Sequence, residues 1–338
     1  MSSNEMFSDR YSMSPSYKDL VIDFWNTINW YYLNDEKISS KTIVSNSIQS
    51  FSFNCFDIFS IIFIAFLFTY IRYAFGSIVS LKIIKQFQLT IPNEKKFCES
   101  AWKLLFYTLA WSYCFYLVKY QYNYFDEPYL VWDNWSAGML VPFNIKIIYF
   151  IQCGFYFHSI YATLYLDSRR HDFYIMILHH VVTATLIFVS YAIRYHRIGL
   201  LVLCCHDIAD IWLELSKTVR YLNTRQSNRW EQASYISFSM LIVCWFIFRL
   251  YWFPLKVLYS TGVVAVYRTL DQGLHLYLPF NILLWILFIL NIYWFFLILK
   301  VLQNALFGSL NQSGDCREDD EEKSSPSNST DLQKKRMN

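Results

Sequence analysis

Residues 172–217 read DFYIMILHHVVTATLIFVSYAIRYHRIGLLVLCCHDIADIWLELSK. Two apolar runs, separated by a polar turn near Tyr195–Arg197, are each long enough to cross a bilayer. Both hold groups that lipid does not tolerate. His179 and His180 stand side by side in the first run, and His206, Asp207, Asp210, Glu214 and Lys217 follow in the second. One charge at the centre of a membrane helix costs about 2.5–3.5 kcal/mol even on lenient insertion scales. So many together mark a reaction centre, a proton path or an ion path.

The rest of the chain fits an all-α polytopic membrane protein. Only 16% of the 338 residues are charged and 55% are hydrophobic, where a soluble domain carries about 25% charge. Hydropathy predicts seven spans, at about 56–76, 102–120, 145–166, 173–195, 198–220, 234–256 and 278–302. Segment 1–55 precedes the first span and 95–305 holds the other six. From about Gly308 the chain turns Ser-rich, acidic and aromatic-free, and 308–338 reads as a disordered tail. Residues 1–50 show no charged region followed by an apolar one, so no cleavable leader is expected. The net charge of +3 and the lack of a basic tract interleaved with aromatics speak against nucleic acid. The 8 cysteines are scattered with no CxxC, which indicates neither a disulfide framework nor a zinc site.

Lysine and arginine set the orientation. Lys82, Lys85, Lys95, Lys96, Arg169, Arg170, Lys217, Arg220, Arg225 and Arg229 fall on one side. Lys119, Lys146, Arg194, Arg197, Lys256 and Arg268 fall on the other. The bias predicts a lumenal N-terminus and a cytosolic C-terminus. The polar groups of the fourth and fifth spans have no counterpart elsewhere, which disfavours an inverted-repeat transporter.

At about 100° per residue, Asp207, Asp210, Glu214 and Lys217 all fall within about 100° of His206, one stripe on the fifth span. His179 and Thr183 share a face of the fourth. The two spans are antiparallel neighbours, and His179 lies about as far before their turn as Asp210 and Glu214 lie after it. The two sets therefore meet at one depth. Each residue also has a plain structural reading: a lone membrane histidine more often bonds a neighbouring helix, and Asp207 and Glu214 could simply neutralise Lys217 and Arg220. Asp210 has no cation beside it in sequence. Arg249, inside FSMLIVCWFIFRLYWFP, is expected to pair with an acid of another helix, with Glu214 or Asp207 as candidates.

Neutral imidazole serves as base or nucleophile near neutral pH, and a carboxylate can fix its tautomer. Histidine plus aspartate in a protein-lined chamber suits acyl transfer. The chain has no HExxH, no GxSxG and no repeated HxxHH boxes, so zinc protease, serine hydrolase and di-iron oxygenase chemistry lack their motifs.

The stretch also resembles a known family. RRHDFYIMILHHVVTATL followed by RIGLLVLCCHDIADIWLELSKTVRY is similar to the Lag1p motif inside a TLC domain, the signature of ceramide synthases. KFCESAWKLLFY (96–107) resembles a further family segment, and Phe246, Arg249 and Pro254 fit its FxxRxxxxP pattern. The likeness covers roughly 95–305. His171 stands where many members have Lys, and the Hox-like segment of many animal members is absent. The resemblance implies a six-helix bundle around a long lipid cavity, preceded by an extra span. The two histidine-bearing helices would turn polar residues to the cavity and apolar ones to lipid. It also implies N-acylation of a sphingoid base by a fatty acyl-CoA in the endoplasmic reticulum membrane. On that reading His179 takes the acyl group, Asp210 orients it, and His180, His206 and Asp207 complete the site. Arg169, Arg170 and Lys217 would attract the CoA phosphates, and Thr183, Glu214 and Arg249 would line the substrate site. Acyl-CoA is a substrate, so neither a cofactor nor a metal is implied; a homo- or hetero-dimer is compatible. The alternative is a non-catalytic TLC-domain protein that binds or organises lipid.

Secondary signals complete the reading. Asn134 lies in a glycosylation sequon on an outer loop; Asn311 and Asn328 lie in sequons on the tail, beside Ser324, Ser325, Ser327 and Ser329 as candidate phosphorylation sites. Residues 21–32 are aromatic-rich and expected at the lumenal interface. The loop at about 259–277 is the family's expected influence on acyl-chain length.

Overall fold

A computed structural model describes residues 14–33, 53–223, 227–269, 274 and 276–307. The tail with Asn311, Asn328 and its serines, most of segment 1–55, and Arg225 lie outside the described residues. Everything described is helix, turn or irregular loop, with no strand among the described residues.

Eight helices follow in order. α1 is Tyr17–Leu33; α2 is Cys55–Phe87, α-helical to Phe75 and passing through a π turn at Gly76–Ser80. α3 is Ile91–Phe115, continued by a π turn to Gln121; α4 is Phe143–Tyr165; α5 is Phe173–Ala192; α6 is His196–Leu222. α7 is Asn228–Arg268, largely π-helical from Trp245, and α8 is Tyr277–Phe307. Five of these, α2, α4, α5, α7 and α8, are long and apolar enough to cross a membrane. α3 and α6 are long but more polar, and they pack closely against each other within the bundle.

That packing corrects one expectation. α6 does not turn an apolar face to lipid: Leu200, Leu201, Cys204, Cys205 and Ala209 are fully buried. A helix this rich in charge sits at the centre of the bundle, where α3, α4, α5 and α7 enclose it and can supply polar partners. Helix ends also differ from the hydropathy reading. α2 runs on past Gly76, whose backbone is right-handed helical. α7 passes through Pro254 and continues to Arg268, so much of the expected 259–277 loop is buried helix. A π turn lets a chain absorb a proline or an extra residue without stopping.

The α5–α6 turn is tied from both sides. Arg194 adopts φ 66°; its Nη1 donates to the Tyr191 carbonyl at 3.2 Å, and Trp135 Nε1 donates to the Arg194 carbonyl at 3.1 Å. Just inside, Tyr149 Oη donates to the His196 carbonyl at 3.0 Å and meets Ser190 Oγ at 3.1 Å. Gly199 makes that possible, because a Cβ there would lie 1.7 Å from Tyr149 Oη. Gly199→Ala is therefore expected to destabilise the fold by at least about 1–3 kcal/mol through overpacking. A lowered thermal midpoint in detergent checks this, and Tyr149→Phe in the same chain should recover only part of the loss, since Tyr149 Cζ would still lie 2.9 Å from that Cβ.

α1 docks along α7 and α8. Tyr17 Oη donates to the Leu250 carbonyl and Tyr259 Oη donates to Asp23 Oδ2 at 2.8 Å. Phe24 lies over Gly262 and against Trp285. The aromatic-rich segment is thus partly a packing surface.

Candidate active site

All six helices α3–α8 line one cavity of about 590 Å³. Its walls include Lys103 and Tyr107 from α3, Ser159 and Thr163 from α4, and Met176, His179 and His180 from α5. Asp210, Glu214 and Lys217 come from α6, Trp245 and Arg249 from α7, and Trp294 from α8. The helix ends that line it are those of the side assigned to the cytosol, with Arg220, Asn223, Glu231 and Ala305 at the rim.

The histidine pair lines this one cavity together with Asp210, Glu214 and Lys217 of the stripe. His179 makes edge-to-face contact with Trp294 at 5.0 Å between centroids, and Tyr156 lies 6.0 Å from His180 and 6.5 Å from His179. Neither histidine's Nδ1 has a hydrogen-bond partner among the described residues. Trp294 is itself anchored, its Nε1 donating to Asp172 Oδ2 at 3.0 Å. Asp172 stands immediately before α5 and His179 within it, and the indole of Trp294 touches both.

The upper half of the stripe turns elsewhere. His206 Nε2 accepts from Asn291 Nδ2 of α8 at 3.0 Å, and its Nδ1 donates to the Val202 carbonyl at 2.9 Å, so both ring nitrogens are used. Asp207 Oδ2 accepts from Gln152 Nε2 of α4 at 2.5 Å. Neither residue lines the cavity, nor does Thr183, which is buried. The stripe is split between three helices.

Arg249 does pair with an acid of α6, but the acid is Asp210, at 2.7 Å, and not Glu214 or Asp207. Glu214 is taken by Lys217 three residues on, at 3.1 Å, and Asp207 by Gln152. Asp210 is consequently turned to Arg249 and makes no hydrogen bond to His179, contrary to the expected orienting contact. Arg249 also donates from Nε and Nη2 to the His206 carbonyl, at 3.3 and 2.8 Å, and lies 4.0 Å over the Trp245 ring.

At the rim Lys103 bridges Glu99 and Asp167, each at 2.8 Å, while Arg72 meets Asp167 at 2.6 Å and Arg170 meets Glu99 at 3.1 Å. Burial works to raise the Asp167 carboxyl, but Lys103 and Arg72 outweigh it and hold it well below the usual aspartate value of 3.8. Arg170 and Lys217, expected to meet CoA phosphates, are at the cavity but already paired; Arg169 is exposed and stacks on Phe173 outside it. Lys103, Tyr107, Trp245 and Trp294 escaped the sequence reading. Lys103 lay inside the 96–107 segment, one turn after Glu99, and Asn291 was one of two amides, with Asn281, in an apolar span, a signal of its own. Asn134 is exposed on the loop before α4, at φ 51°.

Residues 96–300 match the TLC domain family (TRAM_LAG1_CLN8). The chain is 41% identical over 197 residues to ceramide synthase 1 of Mus musculus, covering 57% of this chain and 56% of that protein. To ceramide synthase 1 of Homo sapiens it is 45% identical over 174 residues, 49% of each chain. To ceramide synthase LOH1 of Arabidopsis thaliana it is 31% identical over 235 residues, 64% of this chain and 73% of that protein. The match spans about half the length of the two mammalian relatives and nearly three quarters of the plant one. The matched region takes in most of every helix that lines the cavity, and the chain belongs to the TLC-domain family, within its ceramide synthase group.

Proposed function

We propose that the chain is a ceramide synthase that transfers a fatty acyl group from acyl-CoA to the amine of a sphingoid base. The observation that carries this is the placement of His179 in a cavity walled by six helices and also lined by Arg249, with its Nδ1 unpartnered among the described residues. An imidazole so held can attack a thioester or take a proton from an amine. His180 and Tyr107 complete the chamber wall, Asp210 holds Arg249, and the apolar side chains of α7 and α8 receive hydrocarbon. His206 and Asp207 brace α6 against α8 and α4. The two mammalian ceramide synthases support the substrate assignment.

The same reading places the protein in the endoplasmic reticulum membrane with seven spans, α2 to α8, the last six forming the bundle. The N-terminus is lumenal, the tail cytosolic and phosphorylated on its serines, and association into dimers is compatible with the exposed apolar face of α2. Asn134 then lies in the lumen and carries a glycan. An endoglycosidase-sensitive mobility shift, lost in Asn134→Gln, is the expected result; an unshifted wild-type band counts against the orientation.

Lipid mass spectrometry of a synthase-null cell expressing the chain tests the activity. Restored ceramide, with one dominant acyl length, is expected. A folded, membrane-inserted protein that leaves sphinganine unacylated would falsify the enzyme reading and favour a lipid-binding role.

A further inference from the structure

Arg249 is 2% exposed, in the middle of a membrane-spanning helix, yet it lines the reaction chamber. Its guanidinium is fixed from three directions. Asp210 supplies the counter-charge at 2.7 Å, the His206 carbonyl accepts from Nε and Nη2, and the Trp245 ring lies beneath at 4.0 Å. All of the polar contacts fall on Nε and Nη2. Nη1 makes no hydrogen bond among the described residues, which leaves two N–H donors of a charged, immobilised group on the wall shared with His179. His179 and Arg249 line the same chamber.

Such an arrangement is costly as mere structure. A single acceptor could neutralise the charge, and a salt bridge alone does not need the planar fork held so closely. Preorganised donors aimed where negative charge develops are, by contrast, the largest single contribution in most acyl-transfer sites. Resting on the acyl-transfer reading above, we propose that Arg249 is the oxyanion donor of this site, with Asp210, Trp245 and the His206 carbonyl as its positioning groups.

The step balances as follows. The lone pair of a His179 ring nitrogen forms a bond to the thioester carbon, and the carbonyl π pair moves onto oxygen, which Nη1 of Arg249 receives. The pair then returns, the C–S bond breaks, and the departing thiolate takes the imidazole N–H proton, leaving acyl-imidazole and free CoA thiol. Attack by the free amine of the base places charge on the same oxygen again. Collapse breaks the C–N bond to His179, the amine proton passes to the imidazole, and the amide is released. One donor serves both additions.

Arg249→Lys keeps the charge but removes the fork. It is expected to lower kcat by about 10²–10³-fold, the cost of losing one oxyanion donor, with KM within about threefold. An S-alkyl-CoA thioether, which lacks the carbonyl, is expected to bind the wild type and the variant equally. Turnover within about threefold of the wild type, or thioether binding that falls in step with turnover, overturns the assignment. Should the variant not fold, infrared spectroscopy of the wild type decides. The acyl carbonyl, labelled with ¹³C, is expected at lower wavenumber when bound than in detergent, and an unshifted band overturns the proposal. A wild type that makes no ceramide at all defeats the functional reading instead, so the two failures are distinct.

Discussion

His179→Ala is expected to reduce N-acylation by at least about 10³-fold while leaving the fold intact. The size follows from removing the group that forms or deprotonates the reacting centre. Preservation of the fold follows from what His179 touches: its Nδ1 has no partner to orphan, and its main contact is the edge-to-face packing on Trp294. His206→Ala is the contrasting case. It leaves Asn291 Nδ2 without its present partner in a buried site, a loss of about 1–3 kcal/mol, while the Val202 carbonyl keeps its backbone bond within α6. Activity in purified protein and thermal midpoint in the same detergent separate the two: the first variant loses turnover at unchanged midpoint, the second loses midpoint. A His179→Ala protein that still makes ceramide at a tenth of the wild-type rate or better removes the imidazole from the mechanism.

Lys103→Met is expected to be the most destabilising single change at the cavity rim. Its ammonium stands between Glu99 and Asp167, and the three side chains are 17%, 3% and 7% exposed. Removing one partner of a buried pair costs about 3–5 kcal/mol, because the remaining charge stays out of water. Arg72 and Arg170 still hold one acid each, which puts the expected loss at the lower end, about 3 kcal/mol. Lys119→Met is the control: its pair with Asp126 is 34% and 47% exposed, and such pairs contribute about 0–1 kcal/mol. The pH dependence carries a sign. The Asp167 carboxyl is held below its ordinary value, so its contribution is present above the usual aspartate range and is lost only as pH falls through the lowered value. Acidification to about the ordinary aspartate value of 3.8 should therefore leave the Lys103-dependent stability largely in place.

The sequence showed that polar groups of α5 and α6 meet, because depth along two antiparallel helices joined by a short turn is fixed by residue count. It could not show how the stripe divides. Whether His206 or Asp210 faces the chamber depends on Asn291, Gln152 and Arg249, which sit on helices distant in the chain and whose rotation no periodicity reports. The partner of Arg249 was misread for a local reason: Lys217 sits one turn from Glu214 and takes it. Helix ends were misread where π turns let the chain run past Gly76 and Pro254. Lys103 passed unnoticed because charge near the start of a span normally means an interface, not a bridge between two buried acids.

The docking of α1 has a consequence for biosynthesis. Asp23 and Tyr259 are hydrogen-bonded across 236 residues of chain. At about 5–20 residues per second of translation, the aromatic helix made first waits roughly 10–50 s before its resting place on α7 leaves the ribosome. During that interval Leu20 and Phe24 have no groove to enter, and whatever shelters them in the meantime governs how much of the newly made protein survives to be assembled.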